Sequence, residues 1–160
     1  MEYKIREILP RDNAAVEALV RFCLTEHGAT REGTALSDPD LDRFSEIYSD
    51  EKNRYWVAED ESGKIVGGVG IGEMHGAEGV CELRKMYCYP EARGTGVAHR
   101  LLSLALDHAK KYYKRCYLET LPNMKRAQSF YKKYGFVKID TPPADTGYYA
   151  CEVKLILDLI

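Results

Sequence analysis

Apolar and charged positions alternate over residues 3–9 and stop at Pro10, the two-residue period of a half-buried strand. Beyond Asp12, which can cap a helix, Val16, Leu19, Val20 and Cys23 recur at helical spacing until Gly28 ends the run. Residues 28–38 hold two glycines and several short polar side chains, and predict a loop. Asp38-Pro39 then opens a short helix carrying Leu41, Phe44, Ile47 and Tyr48. Residues 54–59 and 65–72 predict two strands joined by the turn Glu61-Ser62-Gly63-Lys64, the second of them rich in glycine. After His75-Gly76-Ala77 a long strand runs over residues 80–89 to Pro90. A glycine turn at 93–96 leads into an amphipathic helix with Val97, Leu101, Leu104, Ala105 and His108 on one stripe. A strand over 116–119 comes next, then a helix introduced by Pro122-Asn123 that carries Ala127, Phe130, Tyr131 and Tyr134. Two strands near 136–139 and 149–157 flank a Pro-Pro turn and close the chain.

Strand, two helices, three strands, helix, strand, helix, strands is not the regular alternation of a doubly wound sheet. The order predicts an α/β fold: a mixed sheet flanked by helices on both faces. No repeat, low-complexity tract or long linker divides the sequence, so one domain is expected over residues 1–160. Lys and Arg number 23 against 25 Asp and Glu, a net charge of -2, which excludes a broadly basic nucleic-acid binder. The first residues, Met1-Glu2-Tyr3-Lys4-Ile5-Arg6-Glu7, are charged and lack a leader's apolar core, and the longest nearly apolar run, 65–72, is too short to span a bilayer. A soluble cytoplasmic protein is expected. Cys23, Cys81, Cys88, Cys116 and Cys151 are irregularly spaced, with no Cys-x-x-Cys and no histidine at zinc-finger spacing. They are expected to be reduced, packed thiols, and no metal site is expected.

The most informative stretch is Leu83-Arg84-Lys85-Met86-Tyr87-Cys88-Tyr89-Pro90-Glu91-Ala92-Arg93-Gly94-Thr95-Gly96-Val97-Ala98. It runs strand, tight turn, glycine pair, helix start. The first amides of a helix have no intrahelical partner and stand at the positive end of its dipole. Glycines beside them let an anion approach closely, and a diphosphate is the natural guest. On spacing alone, the same glycines would equally serve a sharp turn. Gly-x-x-x-x-Gly-Lys-Ser/Thr is absent, so the turn is not a P-loop. The cluster Gly67-Gly68-Val69-Gly70-Ile71-Gly72 also fails the dinucleotide fingerprint, because Glu73 stands three beyond Gly70 and no clear helix comes after it. Glycines alternating in a strand point to a bulge or to close approach of another backbone.

Arg93-Gly94-Thr95-Gly96-Val97-Ala98 resembles the Arg/Gln-x-x-Gly-x-Gly/Ala signature of the GNAT superfamily of acyl-CoA-dependent N-acetyltransferases, and it lies between a long strand and a helix as that signature does. Ala127-x-x-x-Tyr131-x-x-x-Gly135-Phe136 is similar to the family's second motif on its later helix, and the order of elements matches over nearly the whole chain. Neither motif alone is specific. Together, in this order and at this separation, they are.

The resemblance implies a single-domain GNAT fold with a mixed, mostly antiparallel sheet, and that residues 93–99 (Arg93, Gly94, Thr95, Gly96, Val97, Ala98, His99) bind the pyrophosphate of acetyl-CoA. Met86, Tyr87 and Cys88 would pair through their backbone with the pantetheine arm, and an amide of that strand could hold the thioester oxyanion. Tyr131 matches the tyrosine that hydrogen-bonds the CoA sulfur and protonates the departing thiolate; a phenol with a pKa of about 10 is protonated at neutral pH. Without the motif, Tyr131 reads as a core residue beside Ala127, Phe130 and Tyr134. Met124 stands where the family often has asparagine. Asn123, one position earlier, is the candidate cofactor contact, though it looks better placed to cap the helix.

An alkyl ammonium with a pKa of about 10.4 is free base in only about one part in 2,500 at pH 7, so the acceptor side needs a base. Glu82 matches a glutamate base of some family members. On a two-residue period it shares a face with Arg84, Met86 and Cys88, and an ion pair with Arg84 or a lysine is its alternative role. Glu73, His75 and Glu78 are rivals on the preceding hairpin. The implied activity is direct acetyl transfer in a ternary complex to the amine of a small molecule, amino-acid-like molecule or peptide. A catalytically silent acyl-CoA-binding module is the alternative, and a nucleotide-dependent enzyme using the glycine turn a third. Thr34, Leu36, Phe44, Tyr48, Tyr148 and Tyr149 are candidates to line the acceptor pocket. The tyrosine-rich last strand could equally serve a homodimer.

Overall fold

The computed structural model describes residues 2–28, 38–145 and 152–159. Its strands are β1 (Lys4–Glu7), β2 (Arg54–Glu59), β3 (Ile65–Glu73), β4 (Val80–Cys88), β5 (Arg115–Thr120), β6 (Val137–Ile139) and β7 (Val153–Asp158). Its helices are α1 (Asn13–Glu26), α2 (Phe44–Ile47), α3 (Val97–Ala109) and α4 (Lys125–Lys133). The strands form one sheet in the order β1-β2-β3-β4-β5-β7-β6, antiparallel at every contact except β4 with β5.

Helices cover both faces, as the order of elements predicts. The stripe Val16, Val20 and Leu24 of α1 packs with Phe44, Tyr48, Tyr55 and Val57 in one core. Val97, Leu101, Leu102 and Ala105 of α3 join Trp56, Val69, Ile71, Leu83 and Tyr131 in the other. Burying these apolar side chains at about 25 cal/mol per Å² is what holds the layers together. The α3 stripe is rotated from the expected one: Leu104 is exposed, while Leu102 and Leu106 are buried.

Two local expectations are corrected. Asp12 does not cap α1 through its side chain, because its carboxylate is bound by Arg6 and by the Leu9 amide. The second helix begins at Phe44, not at Asp38-Pro39: residues 39–42 are turns, yet they still deliver Leu41 to the core. Cys23, Cys81, Cys88 and Cys116 are free thiols; Cys151 lies outside the described residues.

Candidate active site

The parallel contact between β4 and β5 is short. It pairs Val80 with Arg115, Cys81 with Cys116 and Glu82 with Tyr117. Beyond Glu82, β4 stays with β3 while β5 stays with β7, so the sheet forks. At the fork β4 carries a bulge: Tyr87 stands opposite Gly68 and Arg84 opposite Gly70, leaving Lys85 and Met86 together across from Val69. Lys85 takes φ +51°, the one positive φ outside glycine among the described residues. A bulge adds twist and re-aims the residues beyond it, here next to the open side of the strand.

The extra residue inverts the alternation of side chains. Glu82 and Arg84 border the α2 side, whereas Met86 and Cys88 pack with Leu83 against the α3 core, and Tyr87 with the α1 core. The expectation that Glu82 shares a face with Met86 and Cys88 is therefore wrong. A strict two-residue period cannot cross a bulge.

The fork, the 93–96 turn, the end of α1 and the start of α4 enclose a cleft of about 630 Å³. Glu82, Met86, Tyr87, Cys88, Arg93, Gly94, Gly96, Ala98, His99, Asn123 and Tyr131 all line it. Thr95 and Val97 stand back: the Thr95 hydroxyl donates to the Ala92 carbonyl, and the Val97 side chain is core. Gly94 and Gly96 have φ +77° and +89°, and Gly96 is the N-cap of α3. A Cβ at either would touch no protein atom within 4 Å. Their left-handed backbone, which costs other residues about 1–2 kcal/mol, is thus what requires glycine. Since Arg100 N–H donates to the Gly96 carbonyl at 3.2 Å, the amides of residues 97–99 lie before the helical ladder. Among the described residues Val97 N–H reaches only the Thr95 hydroxyl, at 3.4 Å.

Arg93 works differently from its neighbours. Its guanidinium holds Glu26 at 2.6 and 3.0 Å and the Cys88 carbonyl at 3.0 Å, while its amide closes on the Pro90 carbonyl. That hydrogen-bonded pair raises the Arg93 pKa and lowers that of Glu26. The side chain clasps the turn to α1 and to the end of β4.

Tyr131 reaches the cleft from α4 and makes edge contacts with Phe130 and Phe136. Among the described residues its hydroxyl finds no hydrogen-bond partner. Burial pushes its pKa well above the ordinary phenol value. Cys88 is driven by burial, then by nearby Cys23, to about 12, so it holds almost no thiolate at neutral pH.

Asn123 does not cap α4, whose N-cap is Met124 with no side-chain cap bond. Its amide donates instead to the His27 carbonyl at 2.8 Å, tying the end of α1 to the entry of α4. Glu82 is buried, and its Oε1 accepts from Arg84 Nε at 2.7 Å. The ion pair expected as its alternative role is formed, and it holds the carboxylate at the edge of the cleft. Arg84 Nη2 also donates to the Glu73 carbonyl. Glu73 and Glu78 are exposed and line neither this cleft nor the smaller cavity beside it, whereas His75 lies outside the cleft and lines that smaller cavity.

A second cavity, of about 330 Å³, shares Glu82, Arg84 and Lys85 with the cleft and is closed by Phe44, Tyr48 and Met74. The candidate residues Thr34, Leu36, Tyr148 and Tyr149 lie outside the described residues. Several groups at the site went unread in the sequence. Gln128, buried and outside the lining, donates to the Leu121 and Pro122 carbonyls and holds the loop before α4, whose Leu121 and Asn123 do line the cleft. Lys125 and Arg126 also line the cleft, in a first helical turn that carries no acid. Cations there oppose the helix dipole, a signal that was legible in the sequence. Among the described residues no group of three His, Cys, Asp or Glu is placed to hold a metal ion, and no helix is long and apolar enough to cross a membrane.

Residues 14–136 match the acetyltransferase (GNAT) family. The chain is 39% identical over 158 residues to the uncharacterized N-acetyltransferase YjgM of Escherichia coli K12, covering 97% of this chain and 94% of that protein. Its fold superposes on a GNAT-family acetyltransferase of Staphylococcus aureus with a TM-score of 0.88 at 19% identity, over 99% of this chain and 100% of the other. A GNAT phosphinothricin acetyltransferase of Sinorhizobium meliloti, solved with acetyl-CoA, superposes with a TM-score of 0.74 at 19% identity, over 99% and 89% of the two chains.

Proposed function

The chain belongs to the acetyltransferase (GNAT) family, and from that membership we propose that it moves the acetyl group of acetyl-CoA directly to a primary amine of a small or amino-acid-like molecule. The observation that carries this reading is that the forked strand, the glycine turn and Tyr131 all open on one cleft.

The residues present fit the cosubstrate. The left-handed glycine turn leaves open space beside the start of α3, whose first amides lie before the helical ladder, which suits a diphosphate. Past Glu82, β4 has no partner strand on its β5 side among the described residues, which suits an extended, amide-bearing arm. Bound there, acetyl-CoA supplies the activated acyl group. The chain's own residues do the rest. An amide at the β4 bulge donates to the thioester carbonyl oxygen as negative charge gathers on it. Tyr131, kept neutral by its surroundings, is a donor to the sulfur at every physiological pH. The same burial makes full loss of its proton costly, so its main contribution is the hydrogen bond that strengthens as the sulfur gains charge. Glu82, oriented by Arg84, serves as the base for the incoming ammonium, directly or through water. The second cavity adjoins Glu82, and in its lining Arg84 is paired with Glu82 and Lys85 with Asp38 while Asp40 and Asp145 leave an acidic excess, which supports a small acceptor bearing an amine.

The test is release of CoA from acetyl-CoA against a panel of diamines, amino acids and peptides. Turnover on at least one small amine is expected. Acetyl-CoA binding with no turnover on any amine would instead favour a silent acyl-CoA-binding module, and a larger Tm rise with ATP or NAD than with acetyl-CoA would favour a nucleotide enzyme.

A further inference from the structure

The glycine-rich strand β3 has no part in the phosphate turn, yet four of its residues, Gly67, Gly68, Gly70 and Gly72, lie beside the fork. Their neighbours show what they are for. A Cβ on Gly68 would stand 2.6 Å from the Tyr55 hydroxyl and 2.7 Å from its Cε1, and one on Gly70 would stand 2.8 Å from its Cδ2. The ring of Tyr55, from β2, therefore lies flat on a floor that only glycine leaves clear. From that seat its hydroxyl donates to the Lys85 carbonyl at 2.8 Å, inside the bulge. Tyr55 is wholly buried, with Phe44 and Tyr48 packed on it at ring centroid distances of 5.1 and 5.5 Å.

We propose that Tyr55 is a positioning residue for catalysis: it sets the Lys85–Met86 peptide so that the Met86 N–H faces the acyl end of the cleft. Three facts combine. The peptide is trans, as every peptide among the described residues is, so its N–H points opposite to its C=O. Anchoring the Lys85 carbonyl to Tyr55 thereby aims the Met86 N–H away from Tyr55, and Met86 lines the cleft. Lys85 is held at φ +51°, a conformation that costs a non-glycine residue about 1–3 kcal/mol and persists only where its surroundings hold it. The buried hydroxyl is such a hold, and a hydrogen bond on the carbonyl also polarises the peptide and strengthens its N–H as a donor. This proposal rests on the acetyltransferase reading and adds to it the residue that fixes the amide donor.

The experiment compares wild type with Tyr55→Phe, which keeps the ring on its glycine floor and removes only the hydroxyl. Turnover is measured with the amine that wild type uses best, and Kd for acetyl-CoA and for CoA by calorimetry. Removing an oxyanion donor outright costs about 10²–10³ in kcat, and loosening one is expected to cost about tenfold. KM for acetyl-CoA should stay within about twofold. Whatever preference wild type shows for acetyl-CoA over CoA, which reports the contact to the carbonyl, should shrink. Gly68→Ala, whose Cβ displaces the same hydroxyl, should give the same split. Turnover equal to wild type in Tyr55→Phe overturns the proposal. So does a parallel loss of kcat and of affinity for both ligands, the mark of general loosening. If wild type binds acetyl-CoA but uses no amine, the preference ratio decides: kept in the variant, it overturns the role of Tyr55 alone. Wild type that binds neither ligand overturns the acetyltransferase reading, and this proposal with it.

Discussion

Two glycine clusters flank the cleft, and they are glycine for opposite reasons. Gly94 and Gly96 have open space where a Cβ would go and a left-handed backbone that other residues resist. Gly67, Gly68, Gly70 and Gly72 show no positive φ, and a Cβ on each would run into Cys88, Tyr55 or Arg84. In the turn, glycine buys a direction for the peptide amides. In the strand it leaves room for the side chains of Cys88, Tyr55 and Arg84 beside the fork. The turn should therefore govern how tightly acetyl-CoA binds, and the strand, with the residues it seats, how fast acetyl moves.

The sharpest way to break that division is through Tyr131, on the reacting side. Tyr131→Phe should lower kcat by about 10²-fold or more while the acetyl-CoA Kd stays within about twofold. Unchanged turnover removes the hydroxyl from the chemistry.

Burial on the strand side also predicts a pH response. Burial raises Cys23 from 9.0 to about 11 and Cys88, packed against Gly67, from 9.0 to about 12. Below pH 9 these thiols are protonated both folded and unfolded, so their packing contributes fully. As pH rises from 9 towards 12 the unfolded chain gives up protons that the folded chain keeps, and stability falls. Urea midpoints measured from pH 8 to 11 should decline, and less steeply in Cys88→Ala. A flat profile contradicts the burial assigned to these thiols.

Gly96→Ala tests the turn. Forcing Cβ into a left-handed position should cost about 1–2 kcal/mol of unfolding free energy and raise the acetyl-CoA Kd about tenfold, with kcat at saturation held. A fall in kcat without a change in Kd would reverse the division. The smallest effect is expected for Gly72→Ala. Its Cβ meets the far end of the flexible Arg84 side chain, so stability should hardly move. The Arg84–Glu82 pair must shift, and kcat should fall several-fold, about 1 kcal/mol in barrier. Equal kcat at every pH would show that this pair does not orient the base.

Much of the fold was legible because its elements announce themselves locally. The α1 stripe, the hairpin turn at Glu61-Ser62-Gly63-Lys64 and the strand–turn–helix at 80–109 depend on neighbours a few residues apart. Where a distant partner intervened, reading failed. Asp12 looked like a cap until Arg6 claimed it. Asn123 looked like another, but His27, 96 residues away, takes its amide. The β3 glycines pointed to a bulge or a close backbone; the register does shift between Gly68 and Gly70, but the close neighbours are chiefly side chains, most of all the ring of Tyr55 and the guanidinium of Arg84.

The chain alone determined that a glycine turn joins a long strand to an amphipathic helix, that Tyr131 lies on a later helix, and that both belong to one α/β arrangement. Those features are carried by backbone preference and periodic burial, which act over a few residues and survive in the letters. Only the tertiary structure decided that β4 bulges at Lys85, that Met86 and Cys88 thereby turn away from Glu82, and that Tyr55 holds the bulge from β2. A bulge is an offset between two strands, and a seat is a space between side chains. Neither exists until the partner strand is in place.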